Sequence, residues 1–477
     1  MADASKLQLS GVTIAPGQWP RGVWLLLIGV VAATLLLPAM FNRFPLIFPD
    51  TPTYLSVAYG QYWNVDRSGF YGLAFKPILM TAEPVFGLWL VVGLQAIMVA
   101  TVLLMVIRRV SPTASPGGAL VVILPIALLT SLPWHAGQLM PDAMTGILVL
   151  LVWLAASRDW RAPGTALLWL GAGLLALVHY THIGLLIVAA AVTLSAAAFS
   201  GIARREIAGR IMAATLVVVA VAASHVAANA TTFGRWSISP MSSLFLFARL
   251  NEDGLVPRWL DRHCGRDAPP ELCAIQTAMP RDSQVMLWGG PKSPLTAHIH
   301  ERIGQAESWR WIEMLDQAAI GSIREEPLAF LSFSAKAGVN QLVHYQALDD
   351  ECPVVCRASM VELARFRPEL AAQANQSRQL RGEIPKRPIR SLTSTVALAG
   401  QLLLLPMLVA AIRRRDIVAI SLIGVVVSDL LANALMAGAL SDVHDRYQSR
   451  LVWLASFVVL ALVARWVSLR PGRVGER

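Results

Sequence analysis

Charge is the scarcest ingredient of this 477-residue chain: Asp, Glu, Lys and Arg together supply 15% of it, where a water-soluble domain carries about 25%. Apolar residues take up the room at 55%, and the mean hydropathy is +0.56. That balance excludes a disordered chain, which needs low hydrophobicity and high charge, and it excludes a cytosolic enzyme. Cysteine is scarce as well. Four residues in such a length rule out a small disulfide scaffold. Lysine is nearly absent, so the 40 basic residues are mostly Arg, and they exceed the 30 acidic ones to give +10. In a soluble protein such an excess points to nucleic acid. Here much of it sits in short loops between apolar runs, where membrane orientation demands it, and no nucleic-acid partner is expected. There is no internal repeat and no low-complexity tract. The partner that composition implies is the lipid bilayer.

Apolar runs of about 20 residues cross a bilayer, and about ten can be laid along the chain, at 23–40, 84–107, 117–133, 142–157, 164–180, 182–200, 208–228, 391–412, 416–437 and 450–468. The first ends at Pro38 without a small-residue cleavage site and others follow, so it reads as a retained helix rather than a secretory signal. Arg108 and Arg109, Arg158 and Arg161, Arg204 and Arg205, and Arg413 to Arg415 follow alternate runs, and Arg470, Arg473 and Arg477 follow the last. All can share the cytoplasmic face only if both termini lie there. The link His179 to His182 is tight enough that the runs it joins could instead form one re-entrant pair.

The expected fold is therefore an all-α polytopic membrane protein of about ten transmembrane helices with an external domain of mixed structure inserted between the seventh and eighth. The expected division is 1–228, a membrane domain with seven spans and an external loop at 41–83; 229–390, an extracytoplasmic domain; and 391–477, a membrane domain with three spans. Compact loops and the absence of organelle signals suggest a bacterial inner membrane. All four cysteines, Cys264, Cys273, Cys352 and Cys356, fall in the external stretch. Disulfides between the near neighbours, Cys264–Cys273 and Cys352–Cys356, suit an oxidising compartment. A zinc site of four thiolates is the competing reading, to which the spacing is poorly suited. The stretch from Trp309 to Leu315 has helical spacing. That from Pro327 to Tyr345 reads as an interfacial amphipathic helix, not an eleventh span.

Four places carry residues suited to chemistry. In the first external loop Asp50 follows the first apolar run, bracketed by Pro49 and Pro52 among aromatic and apolar groups. Partial desolvation there would raise its pKa toward that of a general base; alternatively it caps a helix beginning at Thr51. Asp142 opens the fourth run and suits a helix N-terminus. His179, Tyr180 and His182 cluster at the external end of the fifth and sixth runs, where imidazole donors could reach a phosphate, although interfacial histidines are commonly surface groups. His225 lies inside the seventh run and reads as a buried interhelical hydrogen-bonder. In the last external turn Arg446 and Arg450 stand four apart, on one face of a helix, with guanidinium forks suited to bidentate phosphate recognition. The alternative is snorkelling at the membrane boundary. Asp429 and Asn433, one turn apart within the ninth run, could line an ion pathway or join helices.

The order of these residues has a familiar pattern. An acidic residue after the first helix (Asp50), Tyr54 four later, the element Arg67-Ser68-Gly69-Phe70-Tyr71 and the pair Lys76-Pro77 resemble the first loop of the GT-C glycosyltransferases. The nearer likeness is to the branch of protein O-mannosyltransferases and lipid A aminoarabinose transferases. The motif likeness covers about 35 residues. The resemblance implies a polyprenyl-phosphate sugar donor, Asp50 as base or orienter of the acceptor hydroxyl, and Asp142 as a second acidic residue facing the same cavity. It implies substrate-binding roles for Tyr54, Arg67, Tyr71, Lys76, His179, His182, Arg446, Tyr447 and Arg450. Asp50 is followed by Thr51 where the family often has an acidic pair; a divalent cation held between Asp50 and Asp142 is the candidate cofactor, and the metal is unknown. Inverting sugar transfer to a glycan, lipid or protein acceptor is the expected function. The alternatives are a transporter or lipid flippase built on Asp429, His225 and Asn433, and a non-catalytic component of envelope polysaccharide assembly.

Overall fold

The computed structural model describes residues 19–299, 305–348 and 352–468. Arg470, Arg473 and Arg477, counted above for orientation, lie outside them. Among the described residues there is no β-strand; one isolated bridge joins Leu46 to Gln138. The external stretch expected to be mixed is helical too.

Each of the ten apolar runs forms a helix, but their lengths fall into two groups. Six are long and apolar enough to cross a membrane: Pro84–Val110, His182–Phe199, Arg204–Phe233, Lys386–Arg413, Ile417–Leu440 and Asp445–Ser468. Four are shorter: Arg21–Leu35, Pro116–Leu129, Asp142–Ala156 and Thr165–Leu177. At about 1.5 Å per residue, they fall short of a hydrocarbon layer of about 30 Å. Local chemistry explains part of this. Pro38 breaks the first run after Leu35, because proline removes a helical donor, and a left-handed Arg43 (φ 65°) ends the short helix Leu37–Asn42 that follows. The helix Asp142–Ala156 is buried along its entire length. Packed inside the bundle, it meets other helices instead of lipid. Its Gly146 lets the Asp445–Ser468 helix approach so closely that an added Cβ would stand 2.4 Å from Trp453 Cζ2.

The outer helices turn leucines outward: Leu25, Leu167, Leu216, Leu402 and Leu405 are each at least 62% exposed. Such an apolar exterior has no place in water. Helix starts carry caps where the sequence offers them: Glu83 accepts from the amide of Phe86, Ser115 from Gly118 and Asp416 from Ala419.

Basic helix ends gather at one end of the bundle. Arg109 donates to the Ser157 carbonyl (3.1 Å), Arg210 to that of Ala156 (3.1 Å), and Arg465 pairs with Asp416 (2.7 Å). Since Asp142 and Ala156 are opposite ends of one helix, the candidate site residues lie at the other end.

The 229–390 stretch splits in its packing. Residues 241–299 and 305–319 build an apolar core of their own around Phe247, Leu260 and Leu315, joined by Val65 of the first loop. Residues 352–380 pack instead with the core of the membrane helices through Cys356, Leu363 and Leu380. Cys264–Cys273 and Cys352–Cys356 are at disulfide distance, with Cα separations of 5.7 and 5.0 Å. The helix Pro327–Val343 crosses the outer part of Ile417–Leu440, where Gly438 faces the backbone of Ala337.

Candidate functional site

A loop is held in place before it can hold a substrate. Asp50 sits on a segment clamped from three sides. Leu46 exchanges backbone hydrogen bonds with Gly137 and Leu139 (both 2.9 Å). The Gln379 amide bonds Ile47 in both directions (3.0 and 2.8 Å). The Thr51 hydroxyl accepts from the amide of Phe48 (2.9 Å) and donates to the carbonyl of Leu139 (3.3 Å). A helix does begin at Thr51 with Asp50 in the capping position, yet the Asp50 carboxylate makes no capping bond. Both of its oxygens are committed to guanidiniums instead. Oδ1 accepts from Arg67 (3.1 Å) and Oδ2 from Arg446 (2.9 Å).

From there the ion pairs continue inward. Arg446 reaches Asp142 Oδ2 through Nη2 (3.1 Å) and Nε (3.2 Å). Asp142 Oδ1 faces Arg450 Nη1 at 3.4 Å. Arg450 also donates to Asn433 (3.1 Å) and to the Thr181 hydroxyl (3.2 Å), while its Nε has no partner. At the outer end Arg67 pairs with Asp66 (3.1 Å). Three carboxylates thus alternate with three guanidiniums, and the charges balance. The Arg446 guanidinium lies 4.1 Å from the centre of the Phe48 ring, a cation–π contact.

The electrostatics overturn one expectation. Burial pushes the Asp50 carboxyl up, as foreseen, but the facing Arg67 and Arg446 outweigh it and hold the pKa below the ordinary aspartate value. Burial also works against the charge on Arg67, where Asp50 and Asp66 win by the same means.

Arg446 stands where three cavities meet. One, of about 420 Å³, is amphipathic: Asp50, Arg67, His179 and Arg450 line it together with Met436 and Leu440 of the Ile417–Leu440 helix. A second, of about 460 Å³, lies among the first loop, the external helices and the 441–447 turn, with Asp66, Gln284 and Trp288 in its wall. The third, of about 590 Å³, contains His135, Lys386 and Arg387.

Comparisons with known proteins add little. No family model matches the sequence, and no curated protein matches it. Among solved structures, the crystal structure of ArnT from Cupriavidus metallidurans bound to undecaprenyl phosphate is similar over 94% of this chain and 79% of that one, at 13% identity and a TM-score of 0.35. At that score the likeness defines neither a family nor a site.

Of the residues singled out from the sequence, Asp50, Tyr54, Arg67, His179, Arg446, Tyr447 and Arg450 line the first or second cavity. Asp142 lies fully buried beneath the two arginines it pairs with. The Tyr54 hydroxyl has no partner, which leaves a donor at the cavity wall. Three others, His182, Tyr71 and Lys76, line neither cavity. His182 is buried in the bundle, its Nδ1 donating to the Leu175 carbonyl (2.7 Å) and its Nε2 accepting the Thr145 hydroxyl (2.9 Å); both nitrogens are used by the fold. Tyr71 is buried and donates to Gln95 (2.7 Å), which in turn donates to the Gln138 carbonyl (2.8 Å). Lys76 is exposed beside Gly60, away from the ion-pair chain. His225, expected to be a buried interhelical hydrogen-bonder, bonds the Ala176 backbone of the Thr165–Leu177 helix and packs against the rings of Phe70 and Tyr180 at 5.3 and 5.0 Å.

Asp50 and Asp142 do face each other, with the Arg446 guanidinium between them, so a cation there would have to displace it. Among the described residues no group of three His, Cys, Asp or Glu side chains gathers into a metal site. Sequence reasoning missed Asp66, Thr181, Phe48 and, from the external helices, Phe245 and Trp288, which flank Arg67 at 6.0 and 5.8 Å. Asp66 stood beside Arg67 as a local signal. The two aromatic residues had none, because they reach the site only through the fold.

Proposed function

We propose that the chain is an integral membrane glycosyltransferase of the GT-C type, in the bacterial inner membrane, with its site on the external side. It moves a sugar from a polyprenyl-phosphate donor to an acceptor hydroxyl with inversion. The observation that carries the reading is the Asp50–Arg446–Asp142–Arg450 chain at the meeting of an amphipathic cavity and a polar one. A lipid phosphate needs apolar wall for the isoprenoid and cationic donors for the head, and the amphipathic cavity offers both. The unused Arg450 Nε, His179 and the Tyr54 hydroxyl face or adjoin it.

The chemistry follows from the pairing. In the resting site Asp50 is a weak base, because two guanidiniums stabilise its charge. Phosphate oxygens that claim Arg446 leave Asp50 with Arg67 alone, and its basicity rises as the donor binds. The acceptor O–H then gives its proton to Asp50, its oxygen bonds the anomeric carbon, and the bond from that carbon to the phosphate oxygen breaks on the opposite face. The electron pair leaves with the polyprenyl phosphate. Arg446 and Arg450 stabilise the departing anion, the term expected to dominate the rate effect. Asp142 positions both arginines.

The test is transfer of a labelled sugar from a polyprenyl-phosphate donor by the purified chain. Asp50→Asn is expected to lower turnover by at least about a hundredfold while expression and monodispersity persist; unchanged turnover removes Asp50 from the mechanism. A transporter reading retains one supporting observation: Asp429 is fully buried with neither oxygen partnered. It predicts donor-lipid movement across vesicles that Asp429→Asn abolishes and Asp50→Asn spares.

A further inference from the structure

The second cavity is built from different chemistry than the amphipathic one it adjoins. The two share Asp50, Asp66, Arg67, Phe245, Ser441, Arg446 and Tyr447. Beyond these the amphipathic cavity continues along Met436, Ala437 and Leu440. The second continues into amides, hydroxyl and carboxylate, namely Asn64, Gln284, Ser359 and Glu362, and to the indole of Trp288. Its wall is fixed from outside. The Gln284 side-chain amide donates to Asp442 (2.8 Å), and Arg249 faces that same carboxylate at 3.7 Å, which ties the external helices to the turn before Arg446. Trp288 ends the short helix Ser283–Trp288 and is 47% exposed, in a cavity whose polar wall is half-buried. Its volume of about 460 Å³ lies in the usual range of ligand cavities, about 300–1,000 Å³.

Three classes of occupant can be weighed on that chemistry. A lipid tail needs continuous apolar wall, and this cavity offers only scattered apolar groups. An anionic group meets Asp50, Asp66 and Glu362, while the arginines in the wall already face carboxylates. A hydroxyl-rich ring fits: carboxylates and amides accept and donate to hydroxyls, and the C–H face of the ring lies on an aromatic plane.

We infer that this second cavity is a saccharide-binding site with Trp288 as its stacking platform, and that the acceptor is a neutral glycan presenting a hydroxyl to Asp50. The acceptor role rests on the transferase reading above; saccharide binding stands without it.

The full chain in lipid nanodiscs is to be titrated with maltotriose, mannotriose and chitotriose by saturation-transfer NMR. At least one is expected to receive saturation at ring C–H protons. Trp288→Ala is expected to weaken that trisaccharide by about tenfold, and Trp288→Phe, which keeps a ring, by much less. Glu362→Gln tests the polar wall without touching Arg67, and is expected to weaken binding as well. Saturation of none of the three, or equal affinity in wild type, Trp288→Ala and Glu362→Gln, overturns the inference. Transfer only onto a lipid or a peptide overturns it too, and leaves the transferase reading intact. Trp288-dependent binding without transfer from any polyprenyl-phosphate donor does the reverse: the site stands and the transferase falls.

Discussion

Replacing Asp142 by asparagine removes the carboxylate that, among the described residues, is the only ion-pair partner of Arg450. Asp142 is 0% exposed and Arg450 1%, so the orphaned guanidinium would face only the neutral oxygens of Asn433 and Thr181. Breaking a buried pair by deleting one partner costs about 3–5 kcal/mol. The converse deletion is milder. Arg450→Met leaves Asp142 facing Arg446 through two nitrogens at 3.1 and 3.2 Å. Besides the 3.4 Å contact with Asp142, what goes is the bond to Asn433 and the bond to Thr181, these two together about 1–3 kcal/mol. The pair should also couple, the double variant costing less than the sum of the singles by about 0.5–3 kcal/mol. The assay is reversible unfolding in mixed micelles at increasing dodecyl sulfate, followed by tryptophan fluorescence. An Arg450→Met penalty equal to or above that of Asp142→Asn, or strict additivity, would refute the assignment of Asp142 as shared counter-ion.

Other outcomes follow from the same geometry. Because Asp50 is held below its ordinary value, it is ionised in the free protein from about pH 4 upward. Its stabilising charge is present above the unfolded pKa and is lost only as pH falls through the lower folded one. kcat/KM, which reports the free enzyme, should therefore show no acid limb from Asp50 between about pH 5 and 7; a limb there that moves in Asp50→Glu would contradict the pairing. Gly438→Ala would place a Cβ 2.7 Å from the Ala337 backbone. Backbone cannot rotate aside, so overpacking of about 1–3 kcal/mol is expected, read as a lowered midpoint in the same unfolding assay. Deleting the Cys264–Cys273 link, whose partners are nine residues apart, should cost about 2.5 kcal/mol on the chain-entropy account; protease sensitivity confined to residues near 241–319 would report it.

Much of this architecture was legible because its signals are local. A run of apolar residues specifies a helix from its own backbone bonds, since no other partner exists in lipid, and each run from 23–40 to 450–468 became one. Arg446 and Arg450 were assigned to a common helix face by a spacing of four, and both meet Asp142. What the sequence left open was span length and side-chain partnership. A 15-residue helix is sufficient at Asp142–Ala156 because other helices, not lipid, surround it. His182 and Tyr71 had the right chemistry for a ligand, but Thr145, Leu175 and Gln95 consumed their polar atoms.

By itself, then, the sequence determined the solvent this protein lives in and the order of its helices. It also marked the acidic and basic residues set at the helix ends, all of which follow from hydropathy and spacing along a single chain. The tertiary structure decided which charges meet. Asp50 and Arg446 are 396 positions apart, and no periodicity reaches so far. Whether burial raises a carboxyl or arginines lower it depends on neighbours the fold brings together, and so does the placing of Trp288 beside Arg67.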